Sequence, residues 1–154
     1  KIAIVGDILH SRVALSNIYA LKMLGAQVQL CGPKSLIPKH IEALGVGVST
    51  DLIQTLKWCD AVNMLRVQNE SMDLNYFPST REYAQLYGLN AKKLGSIKKE
   101  IVLLHPGPIN RGVELTSDVA DSKNAIILDQ VENGVAIRMA IIYLLVAKLN
   151  IPST

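Results

Sequence analysis

An arginine and a glutamine stand two residues apart, directly after a short apolar segment at 61–64. A run of that length is typical of a buried strand, which places Arg66 and Gln68 just past its carboxyl end. Open α/β sheets bind ligands at that edge. A guanidinium group offers a planar fork of donors to a carboxylate or phosphate, and Gln68 adds an uncharged donor on the same side of an extended backbone. We interpret the pair as half of an anion site; the alternative is a solvated loop arginine.

A second arginine, Arg12, follows the first predicted strand, which spans residues 1–5. Ser11 and Arg12 come after the Gly6-Asp7 turn and open a helix, where free backbone N–H groups and the helix dipole add to the arginine charge. Two arginines from separate strand ends suit a small ligand with two carboxylates. Each charge-assisted hydrogen bond would contribute roughly 1.5–3 kcal/mol, enough to hold such a ligand in one orientation.

The strand predicted at 101–104 runs into His105-Pro106-Gly107-Pro108. The prolines stiffen this turn, whereas Gly107 lets a ligand approach the backbone closely. His105 can serve as an acid–base group or pack beneath the turn, and we favour packing.

Other polar residues near these turns have simpler interpretations. Asp7 is interpreted as a turn cap, Glu114 as a partner of Arg111, and His40 as a surface residue, while His10 has no clear assignment. No serine, histidine and carboxylate are arranged as a triad, so the pattern predicts a binding site without an evident catalytic group.

Strands and helices must alternate to position these turns. Apolar runs predict strands at 1–5, 27–31, 46–48, 61–64, 101–104 and 125–128, and helical spacing predicts helices at 14–21, 38–44, 51–58, 81–87, 90–94 and 134–149. Alternation of this kind indicates an α/β fold: a doubly wound, mostly parallel sheet with helices on both faces, in a single domain over 1–154. The polar stretch at 69–80 is long enough for a lid or binding loop.

The last predicted helix is apolar on nearly every face and is therefore expected to be buried all round. One face can cover the sheet, which leaves another in need of a partner. The chain also begins at Lys1, inside a strand, without an initiator methionine. Both observations lead us to expect a further domain upstream.

Composition excludes several classes of function. The chain has 154 residues, 49% hydrophobic, with a net charge of +3 spread along it and one Phe and one Trp, which disfavours nucleic-acid binding. Arg138 and Lys148 interrupt the longest apolar stretch, so we expect a soluble, cytoplasmic protein without a membrane span. Cys31 and Cys59 are expected to be reduced core thiols, with no disulfide and no metal site. Neither a dinucleotide nor a P-loop glycine fingerprint is present, which disfavours a nucleotide-binding module.

Four motifs in order resemble the C-terminal, aspartate-binding half of the aspartate carbamoyltransferase family, over essentially the whole chain. They are Gly6-Asp7 with His10-Ser11-Arg12-Val13-Ala14-x-Ser16; Arg66-Val67-Gln68-x-Glu70; His105-Pro106-Gly107-Pro108-x-Asn110-Arg111-x-Val113-Glu114; and Gln130-x-x-Asn133-Gly134-Val135-x-x-Arg138-Met139-Ala140.

The resemblance implies a role for each site residue. Arg12 and Arg66 would bind the carboxylates of L-aspartate with Gln68 beside them, and the backbone of Gly107 and Pro108 would touch carbamoyl phosphate across a cis peptide bond. Ser11, His105 and Pro106 would support them, and the loop at 69–80 would close over the site. Ornithine carbamoyltransferases carry a His-Cys-x-Pro turn and a different segment in place of Arg-Val-Gln, so the sequence favours aspartate.

The resemblance also implies what lies outside this chain. The family's Ser-x-Arg-Thr phosphate motif and its lysine loop have no counterpart here, so the chain alone is expected to be inactive. The intact enzyme would be a homotrimer without a cofactor, with or without regulatory subunits. The alternatives are an ornithine-type or other amino-acid carbamoyltransferase domain, and a non-catalytic dicarboxylate-binding homologue.

Overall fold

A computed structural model describes residues 1–67 and 79–149. Its strands are β1 (Ile2–Val5), β2 (Val28–Cys31), β3 (Gly47–Ser49), β4 (Ala61–Met64) and β5 (Val102–Leu104), and its helices are α1 (Arg12–Met23), α2 (Leu52–Trp58), α3 (Thr80–Leu86), α4 (Ala91–Gly95), α5 (Ser117–Ala120) and α6 (Ile127–Leu149). The strands form one parallel sheet in the order β3-β2-β1-β4-β5. The predicted α/β architecture is confirmed.

Alternating side chains along β1 separate two cores, one on each face of the sheet. Ala3 and Val5 face a core that includes α2 and α3, whereas Ile4 faces a core shared with α1. All three side chains are completely buried. Because successive strand residues point to opposite faces, an apolar run without polar interruption is what a strand covered on both faces requires.

Two predicted elements are wrong. The segment 125–128 is not a strand, because only Ala125 forms a bridge, to Leu103, and α6 already begins at Ile127. A short apolar run fits a strand or a buried helix start equally well, and Asp129 in the first turn favours the helix. The helix predicted at 38–44 is reduced to a 3-10 turn at Ile41–Leu44, since His40 adopts a left-handed conformation with φ 62°, which an α-helix cannot contain.

The helix α6 extends from the rest of the fold with its apolar side chains exposed. Its first residue, Ile127, packs on the core, but Ile137, Met139 and Leu144 are each more than 60% exposed. The expectation that one face of this helix covers the sheet is therefore not met beyond its first turn. Within the described residues, this is the one helix whose length and composition would allow it to cross a membrane, which by itself is weak evidence.

The ends of β1 and β2 approach so closely that Gly32 has no room for a side chain. A Cβ atom on Gly32 would overlap the carbonyl oxygen of Gly6. Gly6 itself has φ +135°, and a Cβ there would lie 3.0 Å from the Cβ of Leu65. The first turn therefore depends on two glycines to reach its position beside β4.

We predict that Gly32→Ala displaces the Gly6 turn and lowers the free energy of unfolding by about 1–3 kcal/mol, as overpacking of a tight contact does. The control is Gly95→Ala, because no atom lies within 4 Å of a Cβ at that position. Urea denaturation of both variants would test this, and equal stability of the two would contradict it.

The two cysteines are free thiols in the interior, as predicted. Burial raises the pKa of Cys31 and of Cys59 from 9.0 to about 11. A thiol whose pKa is raised in the folded state stabilises the fold below its unfolded pKa, and that contribution is lost as pH rises through the folded value.

We therefore predict that stability falls between about pH 9 and about pH 11. Urea midpoints of the wild type and of the Cys31→Ala, Cys59→Ala double variant, compared across this range, would measure the thiol contribution. The double variant is expected to show a shallower fall, and an identical pH profile for the two proteins would refute the prediction.

Candidate functional site

The three turns singled out by the sequence follow three neighbouring strands. Val5 of β1 pairs with Met64 of β4, and Asn63 of β4 pairs with Leu104 of β5, so the strands end within one residue of each other. The strand order reverses between β1 and β4, which is the position where open α/β sheets place a ligand crevice. Arg12, Arg66 and the turn after β5 therefore follow the same edge of the sheet.

Arg12 is the first residue of α1 and is exposed. Ser11 caps this helix, since its Oγ accepts a hydrogen bond from the Ala14 N–H at 3.1 Å. None of the ion pairs found between described residues involves Arg12. The guanidinium group thus stands at the positive end of a helix with its charge directed to solvent, where an anion is favoured.

Arg66 lies two residues after β4 and is half-buried. The next residue, Val67, is 1% exposed, and its carbonyl oxygen accepts a hydrogen bond from Asn110 Nδ2 at 2.9 Å. The segment carrying Arg66 is thereby attached to the turn after β5. Gln68 lies outside the described residues, as does most of the loop predicted at 69–80.

The apex of the turn after β5 is formed by Gly107 and Pro108, which have unusual backbone conformations. Gly107 has φ +66°, a left-handed conformation that favours glycine, and the Gly107–Pro108 peptide bond is cis, as the resemblance implied. A Cβ on Gly107 would meet nothing within 4 Å, and Pro108 is exposed. The apex is consequently open to a ligand.

Backbone donors at this apex are already used or absent. The Gly107 N–H donates to Nδ1 of His105 at 2.8 Å, and Pro106 and Pro108 have no N–H. The remaining backbone polar groups of residues 106–108 are carbonyl oxygens. Such a surface can accept hydrogen bonds from an amide NH2 group, but it repels a phosphate oxygen.

His105 is completely buried beneath the turn, in agreement with the packing interpretation. Its Nε2 lies 3.2 Å from Oε1 of Glu114, which is also completely buried. The predicted pairing of Glu114 with Arg111 is wrong, because Arg111 forms a two-bond ion pair with Asp121, both distances being 2.8 Å. Sequence spacing alone could not decide whether Glu114 or Asp121 pairs with Arg111.

Asp7 caps the first turn, as predicted. Its Oδ1 accepts the backbone N–H of His10 at 3.1 Å, and Nδ1 of His10 lies 2.9 Å from Oδ2. Tyr83 of α3 is buried nearby: burial raises its pKa, and the carboxylates of Glu114 and Asp7 raise it further. Two buried carboxylates, those of Asp7 and Glu114, therefore lie close to Tyr83.

Three residues that attach the turn were not assigned this role from the sequence. Asn110 bonds to Val67, Glu114 accepts from Asn110 and His105, and Gln130 Oε1 accepts the His105 N–H at 3.0 Å. All three belong to the motifs that carry the family resemblance, and those motifs were the sequence signal that could have identified their role.

A cavity of about 200 Å³ lies beside Arg12. This volume is small for a complete ligand site.

Comparison with known proteins assigns the chain to a family. Residues 1–145 match the family model described as aspartate/ornithine carbamoyltransferase, Asp/Orn binding domain. The chain belongs to this family. It is 72% identical over 150 residues to an aspartate carbamoyltransferase catalytic subunit from Christiangramia forsetii, which covers 97% of the chain and 48% of that protein. A catalytic subunit of the same name from Carboxydothermus hydrogenoformans is 56% identical over 146 residues, or 94% of the chain and 47% of the relative.

Solved carbamoyltransferase structures share the fold. An aspartate transcarbamoylase from Trypanosoma cruzi, in complex with N-(phosphonacetyl)-L-aspartic acid, has a TM-score of 0.71 and 25% identity over 92% of this chain and 48% of that one. Ornithine carbamoyltransferase from Pyrococcus furiosus has a TM-score of 0.68 over 86% of this chain and 45% of that one. The chain therefore spans about half the length of the carbamoyltransferases it matches.

Proposed function

We propose that this chain is the L-aspartate-binding half of an aspartate carbamoyltransferase, acting in de novo pyrimidine biosynthesis. The observation that carries the proposal is the placement of Arg12 and Arg66 after adjacent strands, beside a turn whose apex is open. Two cations at one edge of the sheet fit the two carboxylates of aspartate, and Gln68 would add an uncharged donor. The two relatives described above bear the corresponding enzyme name.

Carbamoyl phosphate would bind beside the turn at Gly107 and Pro108. The carbonyl oxygens of this apex would accept hydrogen bonds from the carbamoyl NH2 group, because no backbone N–H is free there to hold the phosphate end. Ser11, His105 and Pro106 would keep the two arginines and the turn in position. The turn would in this way fix which end of carbamoyl phosphate faces the aspartate.

The reaction needs orientation more than covalent catalysis. The α-amine of aspartate would attack the carbonyl carbon of carbamoyl phosphate, forming a C–N bond and a tetrahedral intermediate. The C–O bond to phosphate would then break, phosphate would leave with the bonding electrons, and the amine would lose a proton. Holding both reactants in this geometry supplies much of the barrier reduction, and fixed charges stabilise the intermediate. A site whose side chains and backbone groups bind and orient both substrates is suited to this chemistry without a cofactor.

The remainder of the intact enzyme would supply the phosphate-binding groups and cover α6. The exposed apolar side chains of α6 require a partner, and a protein surface suits them better than a bilayer. Arg138 stands in the middle of the helix, where insertion into a membrane centre costs about 2.5–3.5 kcal/mol. We therefore propose a cytoplasmic enzyme whose second domain packs on α6, assembled as a homotrimer.

The proposal predicts the activity of the intact gene product and its dependence on Arg66. Wild type should form N-carbamoyl-L-aspartate from carbamoyl phosphate and aspartate, but no citrulline from ornithine. Arg66→Ala should reduce kcat/KM for aspartate roughly 10- to 150-fold, the loss expected for one charge-assisted interaction.

The matched control is Arg81→Ala, which removes an exposed arginine from the first turn of α3. It should retain wild-type kinetics. Citrulline formation would favour the ornithine-type alternative. No turnover by wild type, or equal effects of the two substitutions, would contradict the proposal.

The exposure of α6 predicts how the 1–154 fragment behaves by itself. It should bind an apolar fluorescent dye or self-associate, because α6 has no cover in this half. Ile141→Ser with Leu145→Ser should reduce both effects, whereas Glu132→Ser on the same helix should not. A monomer in sedimentation that binds no dye would argue against an unpartnered α6.

A further inference from the structure

His105 is held in one tautomer by an obligatory donor. The backbone N–H of Gly107 can only donate, so Nδ1 of His105, 2.8 Å away, must be the acceptor. In the neutral ring the proton then resides on Nε2, which faces Oε1 of Glu114 at 3.2 Å. The ring therefore connects the apex of the turn to a buried carboxylate, and its orientation follows from both contacts.

Glu114 uses a single oxygen to hold two parts of the turn. Oε1 accepts the Nε2–H of His105 and also the backbone N–H of Asn110 at 2.7 Å. The residue is itself fixed, since its carbonyl oxygen accepts the N–H of Leu89 at 2.9 Å and its side chain has no exposed surface. This oxygen closes the loop from 105 to 110 around the open Gly107–Pro108 apex.

The same network reaches the arginine side of the site. Asn110, positioned by Glu114 through its backbone, donates from Nδ2 to the carbonyl oxygen of Val67, next to Arg66. On the other side, Gln130 of α6 accepts the backbone N–H of His105. One buried carboxylate thus sets the distance between the turn after β5 and the segment that carries Arg66.

We infer that Glu114 and His105 are positioning residues, which hold the Gly107–Pro108 carbonyl apex in register with Arg66. This inference rests on the proposed function for its substrates. Neither side chain needs to touch a substrate, because both are buried and act through the turn. Their loss should weaken binding of carbamoyl phosphate more than it changes binding of aspartate.

The test measures the KM of the intact enzyme for each substrate separately, together with thermal stability. Glu114→Ala and His105→Ala should raise the KM for carbamoyl phosphate roughly tenfold or more, because each removes buried hydrogen bonds that hold the turn. The KM for aspartate should rise less. Glu114→Gln should restore binding, because an amide oxygen accepts the same two N–H groups. His105→Asn keeps an acceptor for Gly107 but is too short to reach Glu114, and should be intermediate.

The control is Asp121→Asn, which breaks the exposed Arg111–Asp121 pair in the adjacent segment and leaves the buried network intact. It should retain both KM values. The inference is overturned if the folded Glu114 and His105 variants keep the wild-type KM for carbamoyl phosphate. It is also overturned if both KM values change in proportion to stability, or if Glu114→Gln is as impaired as Glu114→Ala.

Hydrogen exchange separates this inference from the proposed function. The Gly107 amide should exchange slowly in the intact wild-type chain and quickly in His105→Ala, whatever the substrate. If wild type lacks carbamoyltransferase activity but this protection is observed, the proposed function fails and the network stands. If wild type is active but the amide is unprotected, the network fails and the proposed function stands.

Discussion

The coincident ends of β1, β4 and β5 are the constraint on which the site depends. A shift of one residue in the register of β4 would reverse the facing of its side chains and move Arg66 away from the turn after β5. The register is secured by burial on both faces, since Ile4, Val62 and Leu103 are each completely buried. Core packing thereby determines the distance between Arg66 and the turn after β5, although both lie at the edge of the sheet.

Around this frame, the polar groups are arranged in two layers. Asp7, His105 and Glu114 are buried and hydrogen-bonded to the backbone of the turns, whereas Arg12 is exposed. Burying a carboxylate is costly unless N–H groups satisfy it; Oε1 of Glu114 receives two such bonds, whereas its buried Oε2 receives none from the described residues. The buried layer therefore restricts backbone conformation, and the exposed layer keeps its charge for a ligand.

The sequence was sufficient for the layout of the fold and for the arginine at each strand end. Apolar runs and glycine stops predicted each described strand to within a residue or two, because burial on both faces leaves a strong signal. The run at 125–128 failed because four apolar residues fit the start of a buried helix as well as a strand. Local spacing was not enough to identify either the partner of Glu114 or the exposure of α6, since both depend on tertiary contacts.

The turn after β5 also limits which ligand groups can bind at its apex. Because the apex presents carbonyl oxygens and no free N–H, it offers hydrogen-bond acceptors only and suits the N–H groups of a ligand. A charged anionic group requires cationic or N–H donors when it leaves water, and residues 106–108 contain none that is free. A ligand held at one end by this turn must therefore be held at the other by groups from elsewhere. In the described part of the chain, Arg12 and Arg66, which follow the neighbouring strands, carry the positive charge that this apex lacks.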